Sequence, residues 1–212
     1  MTTYTIKSEI TVGARLPDFT QDQVKNEPMF FNASPEFAYA NGGPITKAFL
    51  DSLDALPTVF DSRVHMLMPG WFPCIPGYHH DDVPRSGPNG QPNYDTPEYR
   101  STHALALING DIAPTEFAIG TSEFVRVPDG EIVYKHWHQD VMRLLETGEL
   151  RRQYVPSNQV VFFDDRAWHQ GVRAISGGWR WFGRASWNTA RKPTNEIRNQ
   201  VQVYLDNPME GW

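Results

Sequence analysis

Sixteen glycines and seventeen prolines interrupt this chain of 212 residues, about one position in six. That density forbids a bundle of long helices, because proline removes a backbone donor and both residue types punctuate regular segments. It suits many short strands joined by turns and long loops. The length is enough for one sizeable domain and too short for two ordinary ones, so residues 1–212 read as a single domain. Hydrophobic residues at 40% and charged residues at 21% exclude a disordered chain and a coiled coil. No internal repeat or low-complexity tract appears.

One helix is expected early, at Gly43–Leu56, where Ile45, Phe49, Leu50, Leu53 and Leu56 follow helical spacing before Pro57. A second, shorter one is expected at Gln139–Glu146, ending near Gly148. Strands are expected at Val64–Met68, Ala104–Ile108, Thr115–Ile119, Phe124–Val127 and Gln159–Phe163, then at Trp179–Trp187 and Gln200–Leu205. The stretch Gly70–Asn93 reads as a long loop, aromatic and stiffened by proline, which points to function rather than disorder.

Charge is distributed unevenly. Residues 151–212 carry nine Lys or Arg against five Asp or Glu, although the whole chain has a net charge of −6. Arginine outnumbers lysine 14 to 5, and arginine is the better residue for fixing a carboxylate or phosphate. The acidic total argues against general nucleic-acid binding. Cys74 is the only cysteine, which excludes an internal disulfide and a cysteine-based zinc site. With no apolar run long enough for a bilayer and no secretory pattern at the N-terminus, the expected location is cytoplasmic.

Two segments can carry chemistry: Tyr78-His79-His80-Asp81-Asp82, and Asp164-Asp165-Arg166-Ala167-Trp168-His169. In an extended chain, residues two apart share a face, so a His-x-Asp pair can hold one metal. A distant histidine would complete two histidines and a carboxylate, the set used by non-haem Fe(II) oxygenases. Three His-x-Asp pairs occur. His138/Asp140 lies at the start of the second expected helix and leaves only 29 residues before His169, whereas His79/Asp81 leaves 88. His80/Asp82 has the same two-residue period and stays open beside it. Eleven residues after His169 comes Arg180, with Arg184 beyond it; on a strand these two and Phe182 would share a face. Two arginines directed into a barrel need an anionic ligand to compensate them.

His-x-Asp, a distal His after the strand Val160-Val161-Phe162-Phe163-Asp164, and an Arg two residues after Gly178 together resemble the Fe(II)/2-oxoglutarate-dependent dioxygenases. The resemblance covers roughly residues 60–190. It implies a mainly β double-stranded β-helix, the cupin-like jelly roll, with a flanking N-terminal helix. The catalytic core would then be 61–190, residues 1–60 an N-terminal extension, and 191–212 a C-terminal strand and tail. By the same resemblance His79, Asp81 and His169 bind Fe(II), and Arg180 pairs with the far carboxylate of 2-oxoglutarate as cosubstrate. Arg184 resembles an additional arginine for cosubstrate or substrate, and Tyr78 favours His79 as first ligand, since many members have an aromatic residue there. The implied activity oxidises a small-molecule substrate with O2, releasing succinate and CO2. The competing reading is a metal-binding cupin with an isomerase, lyase or sensing role.

A further expectation is purely geometric. If Ser176-Gly177 forms a two-residue hairpin turn, Arg184 lies directly opposite His169 and Arg180 opposite Arg173. His65 and His103 read as packing or hydrogen-bonded residues, and His136/His138 as a helix-start feature. Trp71, Trp168, Trp179, Trp181 and Trp187 are core residues first, some of which could wall a pocket.

Overall fold

The computed structural model describes residues 3–205. Its strands are β1 (Thr3–Ser8), β2 (Ile10–Arg15), β3 (Met29–Phe31), β4 (Val59–Leu67), β5 (Thr102–Ile108) and β6 (Thr115–Val125). They continue with β7 (Arg151–Tyr154), β8 (Gln159–Asp164), β9 (Trp168–Gly171), β10 (Gly178–Trp187) and β11 (Glu196–Arg198). Helices α1 (Gln21–Asn26), α2 (Pro35–Asn41) and α3 (Pro44–Asp51) precede β4, and α4 (Val133–Thr147) lies between β6 and β7.

All strand pairings are antiparallel. One sheet runs β2-β8-β5-β10-β4; another is built on β6, which pairs with β1, β7 and β9; β11 and β3 form a small third sheet. The two larger sheets meet through Leu105, Leu107, Val161 and Phe163 from one and Phe117 from the other. The far side of the five-stranded sheet is covered by α1–α3 through Val24, Ala38, Ile45 and Phe49. The far side of the other is covered by α4 through Tyr134, Trp137, Val141 and Leu144. Strands with a different partner on each face explain the near-continuous apolar run of β5.

Several expected boundaries are corrected. The early helix stops at Asp51, not Leu56, because Ser52 Oγ donates to the Phe49 carbonyl at 2.6 Å and competes for the helix end. Leu56, whose spacing suggested a longer helix, is 69% exposed. Helix α4 starts six residues before the expected Gln139; its first turns are aromatic and histidine-rich, yet Tyr134, Trp137, Val141 and Leu145 keep the helical period. Gly148, at φ +80°, ends it. Thr115–Ile119 and Phe124–Val125 belong to one strand, with Arg126 and Val127 beyond its end: Gly120 (φ +145°) lies within β6 rather than turning the chain. Gln200–Leu205 is not a strand; Tyr204 makes a single bridge to Phe72, and the C-terminal strand is Glu196–Arg198. Residues 206–212 of the expected tail lie outside the described residues. Strands β1 and β2, which the sequence did not suggest, place residues 3–15 in both large sheets. Among the described residues, no helix is long and apolar enough to cross a membrane.

The β10 strand illustrates how tightly the helix-facing side is filled. A Cβ added at Gly183 would meet the Trp181 ring at 2.1 Å, and that ring is packed against Phe49, with centroids 5.8 Å apart. Gly183→Ala should cost about 1–3 kcal/mol of overpacking. For a chain of this size each kcal/mol lowers the melting temperature by about 2–4 °C. A melting curve superimposable on the parent's would show that the Trp181 ring is free to move.

His103 supplies a second test. It is buried between the Ser101 and Ser186 hydroxyls, 3.1 and 2.9 Å from its ring nitrogens. Burial first, then Arg184, push its pKa down to about 3. The unfolded chain takes up that proton near the ordinary value of about 6.5. The stability His103 contributes is therefore complete above that pH and is lost on acidification towards the folded value, by about 1.4 kcal/mol per pH unit. His103→Gln should flatten the acid limb of the stability profile by one proton's slope; an unchanged limb would mean His103 is already charged in the fold.

Candidate metal centre

The centre begins with backbone. His79 and His169 form an antiparallel bridge, the His79 amide donating to the His169 carbonyl at 3.0 Å and the reverse bond spanning 3.3 Å. Directly opposed residues project to one face, so the two rings come together with centroids 4.6 Å apart. Asp81, two residues beyond His79 in extended chain, reaches the same face. Donor atoms of His79, Asp81 and His169 all lie within 4.8 Å of one another. Strand β9 is held in turn by β6, where Phe117 pairs with His169.

Each ring is oriented from behind. His79 Nδ1–H donates to the Gly77 carbonyl at 2.8 Å and His169 Nδ1–H to the Ala167 carbonyl at 2.9 Å. In the neutral tautomer this makes Nε2 the lone-pair nitrogen on both, the arrangement usual for metal-binding histidines. Burial, then His169, lower the pKa of His79 to about 4. Burial opposes ionisation of Asp81, yet Arg184 and His169 hold its carboxyl well below the usual range. A neutral imidazole and an ionised carboxylate are the forms a divalent metal requires. The donor set therefore fits an iron held by two histidines and one carboxylate.

The alternative pair is split: Asp82 lines the same cavity as His79 and Asp81, but His80 faces the other side of the chain. His80 lies opposite Trp168, with ring centroids 3.7 Å apart, and its Nδ1 is 2.7 Å from the Tyr94 hydroxyl. Asp82 takes a left-handed conformation, φ +55°, which ends the extended run. His138 sits within α4 and accepts the Tyr78 amide through Nδ1 at 3.0 Å, so it steadies the segment leading to His79. His136 pairs with Glu131 at 2.5 Å.

Facing this group across the interior is β10. Arg180, Phe182 and Arg184 share the inward face, and all three line a cavity of about 390 Å³ that also contains His79, Asp81 and His169. Arg180 is 2% exposed, and no acidic group pairs with it among the described residues. Burial lowers its pKa to about 10, helped by Arg63. Arg184 is bonded to Asp81 and lies 3.6 Å from Asp61.

The expected hairpin register is wrong. Strand β10 pairs with β4 and β5, so Arg184 lies opposite Asp61 and Leu105, and Arg180 opposite His65. The chain after β9 crosses to the facing sheet instead of doubling back. Arg184 thus reaches the metal-ligand set from across the interior. None of Trp71, Trp168, Trp179, Trp181 and Trp187 lines the cavity, whereas Cys74 does, its thiol pushed up by burial. Asp61, Arg63, Arg191 and Arg198 also line it. Sequence reasoning passed over them, although the alternation Asp61, Arg63, His65 along β4 carries the signal.

No protein-family model matches the chain, and neither does any curated protein. Among solved structures, HygX from Streptomyces hygroscopicus with nickel and 2-oxoglutarate bound is 11% identical, with a TM-score of 0.47, over 87% of this chain and 84% of that one. The iron-bound form is 12% identical, with a TM-score of 0.41, over 87% and 83%. An N-substituted L-amino acid dioxygenase from Burkholderia ambifaria AMMD in complex with alpha-KG is 16% identical, with a TM-score of 0.36, over 68% and 62%. Likenesses this distant leave the chemistry to rest on the residues themselves.

Metal content of variants separates the two ligand pairs. His79→Ala and His169→Ala should each abolish stoichiometric Fe(II) binding, because the remaining two donors make a poor site. His80→Ala should retain it with at most the roughly 10–100-fold loss typical of outer-shell changes. Full occupancy in His79→Ala with none in His80→Ala would move the centre by one residue.

Proposed function

We propose that this protein is an Fe(II)- and 2-oxoglutarate-dependent oxygenase built on a double-stranded β-helix, and that it oxidises a small organic substrate. One observation carries the reading: a single cavity holds a two-histidine, one-carboxylate donor set and, facing it, the buried and acid-free guanidinium of Arg180. The catalytic core is assigned to residues 61–190, which contain all three donors and both Arg180 and Arg184.

Held by His79, Asp81 and His169, iron would supply the activation of dioxygen that couples decarboxylation of 2-oxoglutarate, to succinate and CO2, with oxidation of the substrate. The chain's own part is placement. Arg180 binds the far carboxylate of the cosubstrate in a charge-assisted, bidentate contact and so fixes its other end towards the ligand face. Arg184 keeps Asp81 ionised and orients it. Phe182, between the two arginines on the same face, excludes water from the contact.

Two measurements test this. Fe(II)-loaded protein incubated with 2-oxoglutarate and O2 should release succinate even without the second substrate; none, with iron bound, would sink the oxygenase reading. Arg180→Ala should raise the 2-oxoglutarate concentration required by about one to two decades, the equivalent of roughly 1.5–3 kcal/mol for a charged hydrogen-bonded pair, with iron affinity little altered. Unchanged 2-oxoglutarate binding would remove Arg180 from the scheme.

A further inference from the structure

The cavity carries more positive charge than a metal and its cosubstrate would use. Arg63, Arg180, Arg184, Arg191 and Arg198 line it against Asp61, Asp81 and Asp82. Their pairing is uneven. Asp61, 4% exposed, is approached by Arg191 at 2.7 Å, Arg184 at 3.6 Å and Arg198 at 4.0 Å. No acidic partner is found for Arg63 or Arg180 among the described residues.

Register explains the crowding. Arg63 of β4 lies opposite Phe182 of β10, so Arg63 and Arg180 are diagonal neighbours on one inward face. Arg198 arrives from β11; its Nε donates to the Phe30 carbonyl at 3.1 Å and its guanidinium lies over the Phe31 ring, 4.4 Å from the centroid. It therefore points into the cavity from a rigid edge. After burial, Arg63 is the next cause lowering the pKa of Arg198, and it also contributes to lowering that of Arg180. Arg63 is thus felt by both Arg180 and Arg198, and among the described residues no ion pair to Arg63 is found.

If Arg180 takes the far carboxylate of 2-oxoglutarate, a divalent metal and the dianionic cosubstrate cancel. Two more arginines than aspartates still face the cavity. Half-buried cations without counter-charge are costly, and arginine rather than lysine at each position suits planar recognition of an oxyanion. We infer that the second substrate is a small organic acid whose carboxylate or phosphate is held by Arg63 and Arg198 beside Phe31. This rests on the oxygenase reading for the place of 2-oxoglutarate. A cavity of about 390 Å³ is near the lower end for ligand sites, a size that suits a small acid.

The test uses Fe(II)-loaded protein, anaerobic and saturated with 2-oxoglutarate, titrated calorimetrically at constant ionic strength with acetate, inorganic phosphate and acetamide. At least one anion should bind, and acetamide at least tenfold more weakly. The tighter anion identifies the group the substrate bears. Arg63→Gln should weaken that anion at least tenfold and 2-oxoglutarate by a smaller factor, whereas Arg180→Gln should reverse the order. Arg198→Gln, at the edge of the cavity, should follow Arg63→Gln, and it serves where the β4 variant does not fold. Binding of neither anion, or equal binding of acetamide, overturns the inference. So does a loss of 2-oxoglutarate in Arg63→Gln as large as in Arg180→Gln. Should the parent protein bind neither Fe(II) nor 2-oxoglutarate while the anion still depends on Arg63, the oxygenase reading fails and the anion site stands.

Discussion

Two backbone hydrogen bonds between His79 and His169 decide where the rest of the site lies. Antiparallel opposition puts their imidazoles on one face, the two-residue period adds Asp81, and the same geometry sends His80 and Trp168 to the opposite face. There they stack against each other in the core beneath α4. The stretch around His79 is otherwise irregular and rich in proline. Anchored by this bridge, it becomes a continuation of the sheet formed by β6 and β9, and the three donor groups inherit that sheet's rigidity.

The facing sheet follows from the same period applied to β4 and β10. Val64, Trp181 and Ala185 turn towards the helices, while Arg63, Arg180, Phe182 and Arg184 turn inward. Alternation this strict leaves no room for compromise at Gly183, where the Trp181 ring occupies the place of a side chain. It also requires α1–α3, since without them the apolar side of this sheet would be bare. The helices contribute nothing to the chemistry directly; they let a strand carry arginines on its other side.

Much of this was legible in the chain. The face shared by Arg180, Phe182 and Arg184 follows from period alone, and so does the pairing of His79 with Asp81 once the chain is taken as extended. What period cannot reveal is which strands meet. The Ser176-Gly177-Gly178 turn suggested a local hairpin, but long-range pairing of β10 with β4 and β5 prevailed, and Arg184 reached Asp81 from across the interior. Choosing between His79 and His80 likewise needed the bridge partner, because both satisfy the same spacing. Short elements such as β3, β7 and β9 carry too few residues to show a pattern, and their existence depends on neighbours remote in sequence. The cationic wall escaped notice for the same reason: Arg63, Arg191 and Arg198 meet only after β3, β4 and β11 have assembled.

Asp61 ties that wall to the metal-ligand set. Its Oδ1 accepts the Asn32 amide at 2.9 Å, which fixes it to the chain following β3. Burial opposes its charge, yet Arg184 and Arg191 hold its pKa below the usual range, so it is ionised where it stands. Through Arg184 it is one contact from Asp81, and Asp81 is 3.2 Å from His169 Nε2. Asn32, Asp61, Arg184, Asp81 and His169 thus form one continuous line of polar contacts. A neutral residue at position 61 would leave three cations to repel one another and would free Arg184 to draw Asp81 off the ligand face. The buried aspartate is the reason the edge segment bearing Arg191 and Arg198 and the segment bearing Asp81 can share one cavity.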